Sequence, residues 1–357
     1  MSTVTVSMIV KDEEQYLADC LKSVQPIADE IIVVDTGSTD DTVEIALDHD
    51  AEVRTHEWHD HFADARNDSI DCARGDWVLW LDADERLTEA SYDFIRGLGQ
   101  PDKPVGYICT IKSAREDFKF YTTSINTRLF ANHFGVQFKH RVHEQLDQEK
   151  LQGRLVNSPV EFLHLGYNSE AANARKRARN IPLMEQQLES DPNNPYVLMR
   201  MGHDVAQDGD SQQAVFYFRR ALKADHGKDV YTENIWNALA HAHNDLHETK
   251  DAKRYAKKSL RKTPKQVVAW WQLYRAFYLD RHYPQALQAL QEVAKVQQEH
   301  RRMASPIQDI EVPSETLQGA MEDCEARGLM LQDTKYKMSD RVYQRKGKTI
   351  TKVTEEK

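Results

Sequence analysis

The densest chemical signal in the 357-residue chain is Leu79-Trp80-Leu81-Asp82-Ala83-Asp84-Glu85. An apolar run delivers three acids within four residues. Such acids repel one another unless a cation or a strong donor network offsets their charge. On an extended chain residues i and i+2 face one side. Asp82 and Asp84 are therefore expected to meet a hard divalent ion, Mn²⁺ or Mg²⁺, which would hold a diphosphate against the protein. A second signal is Ile31–Asp41, IIVVDTGSTDD. Asp35 ends an apolar run and is read as a ligand contact, accepting from a base N–H or a ribose hydroxyl. Ser38, Thr39 and Asp40 are read as helix caps. A third is Ala63-Asp64-Ala65-Arg66-Asn67. Arg66 there either pairs with carboxylates or reaches a phosphate, since guanidinium suits both. Further on, Phe138–Glu144 (FKHRVHE) gathers bases and one acid, and His164-Leu165-Gly166-Tyr167 closes a strand-like run. A histidine near paired acids can complete a metal's coordination.

These residues need elements to place them. Val4–Val10, Glu30–Asp35, Ala51–Arg54 and Trp77–Leu81 read as strands. Glu13–Val24, the stretch running to about Asp48, and Phe62–Ala73 read as helices. The alternation predicts a parallel sheet covered by helices. Ligands of such sheets sit beyond the strands' carboxyl ends, where Asp35 and Asp82 stand. From about Ser169 helical spacing dominates, and three segments share a period near 34. Ala214, Ala252 and Ala286 lie 38 and then 34 residues apart. A small residue there lets two helices approach closely, which predicts a tetratricopeptide-type solenoid. Three parts follow: residues 1–170, a helical repeat region over 171–302, and 303–357. The last holds one helix, Glu315–Leu331, and a basic tail. In that tail Tyr336–Met338 and Thr349–Val353 form either a hairpin or a solvated stretch.

Hydrophobic residues make up 40% and charged residues 29%, a globular composition. No apolar run reaches the roughly 18 residues of a membrane span, and the first residues lack the basic start of a signal peptide. The four cysteines are scattered without a CxxC pair, which argues against a thiolate zinc site or a disulfide framework. A cytoplasmic protein is expected. The net charge of −10 is uneven: the first 100 residues carry −17 and the rest +7. Lys176, Arg177 and Arg179 cluster on the positive side. That balance suits an anionic acceptor or is ordinary surface charge.

Taken together, the blocks SMIVKDEE (Ser7–Glu14), EIIVVDTGSTDDT, FADARND and GDWVLWLDADE resemble family 2 glycosyltransferases. The subgroup is the one with tetratricopeptide-like repeats after the catalytic domain. Arg128-Leu129-Phe130, Val142-His143-Glu144 and His164-Leu165-Gly166-Tyr167 are similar to its later blocks. Asp12 departs from the pattern, which usually has Asn. The resemblance implies an α/β, mostly parallel sheet domain of the GT-A fold, then an all-α solenoid. It implies that Val10, Lys11 and Glu13 line a nucleotide pocket and that Asp35 contacts the base. Arg66 would approach the nucleotide, and Asp82 would touch the ribose or the metal's water shell. Asp84 would bind Mn²⁺ or Mg²⁺, with His164 a further metal contact.

The reaction expected is metal-dependent, inverting transfer from a nucleoside-diphosphate sugar, with UDP as the nucleotide, to a hydroxyl or thiol. Glu144, with His143 behind it, is the candidate base; the alternative is that Glu144 positions the acceptor. The acceptor, whether peptide, glycan or nucleic acid, stays open, as does a homo-oligomer. Hydroxymethylated phage DNA is one anionic option. A nucleotidyltransferase is disfavoured because the first loop, Lys11-Asp12-Glu13-Glu14, is acidic. A non-catalytic adaptor built on the repeats is the competing class.

Overall fold

The computed structural model describes residues 2–114, 121–147, 149–151, 154–166, 170–225, 231–303 and 312–329. They form two compact units, residues 2–204 and residues 205–303 with 312–329.

The first unit is built on an eight-stranded sheet. Strands β1 (Val4–Val10), β2 (Glu30–Asp35), β3 (Glu52–Thr55) and β4 (Trp77–Trp80) are parallel, in the order β3-β2-β1-β4. The inner strands β1 and β2 are rich in Val and Ile and β4 is apolar throughout, because helices cover both faces, whereas β3 at the edge reads Glu-Val-Arg-Thr. Those helices are α1 (Leu17–Val24), α2 (Thr42–Asp48) and α3 (Phe62–Asp71). α1 buries Leu17, Cys20, Leu21 and Val24, a single stripe at helical spacing. It begins four residues later than the apolar spacing predicts. Glu13 is held outside it instead, its backbone N–H donating to Thr42 Oγ1 at 2.7 Å.

The sheet continues through β5 (Glu85–Leu87), β6 (Gly106–Ala114), β7 (Tyr121–Ala131) and, after a small hairpin, β10 (Leu155–His164). The full order is β3-β2-β1-β4-β7-β6-β10-β5. β7 is antiparallel to β4 and β6, β10 is parallel to β6, and β5 is antiparallel to β10. The β10 register slips between Asn157 and Glu161, around Pro159, which has no N–H to give the ladder. A short helix, α4 (Tyr92–Arg96), follows β5.

One feature of this order shapes the site. β4 and β5 are consecutive in the chain but four places apart in the sheet, about 19 Å if the sheet were flat. Five residue steps from Trp80 to Glu85 reach at most about 17 Å. The chain also turns there, Glu85 N–H donating to Asp82 O at 3.0 Å. The sheet must therefore curl so that its β10–β5 edge returns toward β4.

The hairpin pairs β8 (Phe138–Lys139) with β9 (Gln145–Leu146). Its five-residue loop holds His140 and His143 at φ +81° and +54°. α5 (Glu170–Ser190) and α6 (Pro195–Gln207) follow. α5, and α6 as far as Asp204, belong to the first unit. The sequence reading ended the sheet domain at residue 170. The difference arises because these helices carry side chains into the site and its loop.

The second unit is helical: α7 (Ser211–Ala224), α8 (Thr232–Asp245), α9 (Thr249–Lys262), α10 (Val267–Leu279) and α11 (Tyr283–Met303), then a helix over 314–329. Ala214, Ala252 and Ala286 each stand three residues after the start of α7, α9 and α11, and each is wholly buried. The repeat spacing thus marks equivalent helix-packing positions. The hairpin considered for residues 336–353 lies outside the described residues.

Candidate active site

A cavity of about 500 Å³ opens where β1, β4 and β10 end. Val10, Lys11 and Glu13 line one side, and Asp82, Asp84 and His164 the centre. Arg66, His143 and Glu144 also line the cavity, with Lys176 and Arg179 from α5. Nine of the ten residues singled out from sequence thus reach one cavity.

Asp35 is the exception. Its carboxylate is buried and accepts from the backbone N–H groups of Gly37 and Ser38. It secures the turn after β2, and its neighbour Thr36 lines the cavity instead. Gly37, at φ +106°, supplies the left-handed corner. Asp40 accepts from Thr42 N–H at 3.0 Å, as a helix-start acid should. Ser38 and Thr39 instead bind the Lys11–Glu13 loop: Ser38 Oγ accepts from Asp12 N–H, and Thr39 N–H donates to Asp12 Oδ1.

The three acids after β4 do not share one direction, because the chain is turned rather than extended. Asp82 Oδ1 accepts from Arg66 Nη2 at 2.7 Å, and its Oδ2 is 3.5 Å from Arg128 Nη2. Arg128 also donates to the buried Glu85 at 2.7 Å, and Glu85 Oε2 accepts from Asp82 N–H. Arg66 donates through Nε to Glu144 at 2.6 Å. The result is an alternating row, Glu144–Arg66–Asp82–Arg128–Glu85. Trp80 lies inside it, with the Arg66 and Arg128 guanidinium carbons 4.4 and 3.7 Å from its ring centre. Burial alone would push the Asp82 carboxyl up, but Arg66 and Arg128 more than offset this and hold it well below the usual range. Burial likewise opposes the charge on Arg66, and Asp82 and Glu144 keep it protonated. Both of Arg66's sequence readings concerned anions; the structure gives it two carboxylates.

Asp84 points elsewhere. Its Oδ2 lies 3.0 Å from His164 Nε2, while His164 Nδ1 meets Ser113 Oγ at 3.1 Å. The Asp84 hydrogen bond raises the His164 pKa against the effect of burial. A positive charge is thus favoured between Oδ2 and Nε2. A divalent ion fits that demand: one carboxylate oxygen, one imidazole nitrogen, and a hydroxyl on the far ring nitrogen to fix the ring. Mixed oxygen and nitrogen donors suit Mn²⁺ better than Mg²⁺, which prefers oxygen alone. Asp82, spent on arginines, is not gathered with this pair. Among the described residues, the one group of three ligating side chains within 4.8 Å is His243, Glu248 and Asp251 in the second unit.

Glu13 faces the same centre. Burial, then the Asp84 and Asp82 charges, push its carboxyl up to about 7. On the far wall Trp58 and Phe62 meet edge to face at 4.7 Å, and the Arg179 guanidinium carbon stands 4.8 Å from the Phe62 ring centre. The hairpin loop is pinned by Asn67, which exchanges two hydrogen bonds with the Phe138 backbone. Gln187 adds one bond to the Arg141 N–H.

His143 does not offer a free nitrogen to the cavity. Arg200 Nη2 donates to its Nδ1 at 3.1 Å, and its Nε2 lies 3.5 Å from Asn180 Nδ2 and 3.6 Å from Asp204 Oδ2. The expectation of His143 as part of the base is corrected accordingly: Nδ1 is held by Arg200 of α6, and Nε2 is enclosed by Asn180 of α5 and Asp204 of α6. Sequence reading missed Trp58, Phe62, Lys176, Arg179 and Asn180 as cavity residues, and gave Arg128 no site role. The Arg128-Leu129-Phe130 block was the available signal for the last. For Lys176 and Arg179 the basic cluster was a signal of charge but not of place, and for Trp58, Phe62 and Asn180 only the fold supplies one.

Residues 5–155 match the family "Glycosyl transferase family 2". A TPR repeat-containing protein of Synechococcus elongatus is 33% identical over 232 residues, 62% of this chain and 57% of that protein. The SPbeta prophage-derived glycosyltransferase SunS of Bacillus subtilis is 30% identical over 226 residues, 62% of this chain and 53% of that protein. An uncharacterized glycosyltransferase of Rickettsia typhi is 40% identical over 95 residues, 27% of this chain and 32% of that protein. The matched region spans little more than half the length of the first two. No helix among the described residues is long and apolar enough to cross a membrane.

Proposed function

We propose that this chain, whose residues 5–155 are a family 2 glycosyltransferase domain, moves a sugar from a nucleoside diphosphate, UDP before others, to a hydroxyl or thiol acceptor. The observation that carries the reading is the Asp84–His164 pair. It stands at 3.0 Å in the cavity that also takes the end of β1 and Glu144. Asp84 and His164 would hold Mn²⁺ or Mg²⁺, which when bound would stabilise the charge growing on the leaving diphosphate.

The protein's own groups do the rest. Val10, Lys11, Glu13 and Thr36 form the wall for the nucleotide. Arg66 and Arg128 fix Asp82 as a carboxylate at the ribose side. Lys176 and Arg179 place positive charge in the cavity, Lys176 beside Glu13, for the phosphates or an anionic acceptor. Glu144, anchored through Oε1 by Arg66, takes the acceptor's proton or aligns it as it attacks the sugar from the face opposite the phosphate.

The test is nucleotide release from UDP-glucose, UDP-N-acetylglucosamine, GDP-mannose and dTDP-glucose with Mn²⁺. Turnover of at least one donor, abolished by EDTA and by Asp84→Ala in a folded protein, is expected. Full turnover by Asp84→Ala would remove the metal assignment. Failure to bind any donor with Mn²⁺ present would favour the adaptor.

A further inference from the structure

The turn carrying Glu144 is strained, and α6 holds it in place. His143 has φ +54°, a left-handed conformation that favours glycine and crowds a β-carbon against the following carbonyl. Tyr196, Arg200 and Asp204 stand at i, i+4 and i+8, one face of α6. Tyr196 donates its hydroxyl to the His143 carbonyl at 2.9 Å. Arg200 donates to Nδ1, and a guanidinium has no lone pair to offer in return. Asn180 Nδ2 stands 3.5 Å from Nε2, but a neutral ring accepts at one nitrogen only, and the charged, shorter Arg200 bond at 3.1 Å claims the lone pair for Nδ1; the ring proton then sits on Nε2, on the side of Asp204. Asp204 is 4% exposed, and its Oδ2 has no hydrogen-bond partner, His143 Nε2 standing just beyond bonding distance at 3.6 Å. A buried carboxylate oxygen in that state is stabilised only by a donor turned toward it.

We propose that this face of α6 is a positioning device for the catalytic turn: it locks His143 as the Nε2–H imidazole in a left-handed backbone and so aims Glu144 into the cavity. The proposal rests on the transferase reading for what Glu144 does there. His143 is a positioning residue, as are Arg200 and Asp204. The functional catalytic unit then extends to Asp204, well past the matched family region at residue 155.

Two measurements on the full chain test this. In long-range proton–nitrogen spectra of ¹⁵N-histidine protein at pH 7, with His143 assigned by His143→Gln, Nδ1 is expected to be unprotonated and Nε2 protonated. In nucleotide release, Arg200→Met and Asp204→Asn are expected to lower kcat at least tenfold, with donor KM within about twofold. Arg200→Lys should recover most of the loss. A wild-type Nδ1–H tautomer, or rapid averaging of the two, overturns the proposal. So does an unchanged kcat in Arg200→Met, or a loss that follows thermal stability in Asp204→Asn. If the wild type turns over no sugar nucleotide, the transferase reading falls, and the tautomer still decides whether α6 locks the turn.

Discussion

Gly166 stands directly against the Asp84 carboxylate. A β-carbon built on Gly166 would overlap Asp84 Oδ2 and lie 2.8 Å from His164 Nε2. The backbone after β10 thus closes one side of the acid–imidazole pair, and only hydrogen fits between them. Gly166→Ala is expected to separate the pair. Mn²⁺ affinity, measured by calorimetry, should fall at least tenfold, while the thermal midpoint moves by only a few degrees. Wild-type affinity in the variant would show that the pair does not hold the ion.

Glu144 is the group for which two roles stay in competition. Glu144→Gln keeps a carbonyl oxygen for Arg66 and removes the base. If Glu144 takes the proton, kcat should fall by two or more orders of magnitude, within the range general-base removal produces. Donor affinity should barely change. Parallel losses in binding and rate would make it a positioning residue.

Arg128 compensates the buried Glu85. Arg128→Met would leave that carboxylate without its partner, and breaking a buried pair on one side costs about 3–5 kcal/mol. Urea unfolding should show a loss of that order. The double variant Arg128→Met/Glu85→Gln should recover at least half of it. A loss below about 1 kcal/mol in the single variant would mean that the row of charges is not under this tension.

Glu13 gives a pH signature. Its folded pKa is about 7, against 4.5 for an ordinary glutamate, because of burial and then of Asp84 and Asp82. The unfolded chain releases this proton first, so stability falls as pH rises from 4.5 through about 7. Glu13→Gln removes that slope. In EDTA the variant should match wild type near pH 4.5 and exceed it at pH 8, by on the order of 2 kcal/mol once solvent screening of a part-buried group is allowed for. Equal stability at both pH values would contradict the raised pKa.

The parallel half of the sheet was legible because its strands are written as local runs. Val4–Val10 and Glu30–Asp35 match the observed strands end to end, and Trp77 starts β4 as expected. The repeat alanines were legible for the same reason, since one small residue per period is a local mark. The Asp84–His164 partnership was anticipated as chemistry but not as geometry. Local spacing placed Asp82 beside Asp84, whereas the turn at Asp82–Glu85 sends them to different partners. Asp35 was read as a ligand contact and serves its own turn in the structure; a buried strand-end acid can do either, and sequence does not separate the two. Arg128, Arg200 and Asp204 act across 43 to 61 residues of chain, on Glu85 and His143, and no periodicity records such pairings.

The short span from Trp80 to Glu85 does more than display acids. It works like a drawstring, pulling the outer margin of the sheet inward until His164 comes opposite Asp84. The separation of the two side chains is therefore set by covalent chain length as much as by side-chain packing. One extra residue after Ala83 would slacken the string and let that margin swing away, disarming the centre while leaving every side chain in it chemically intact.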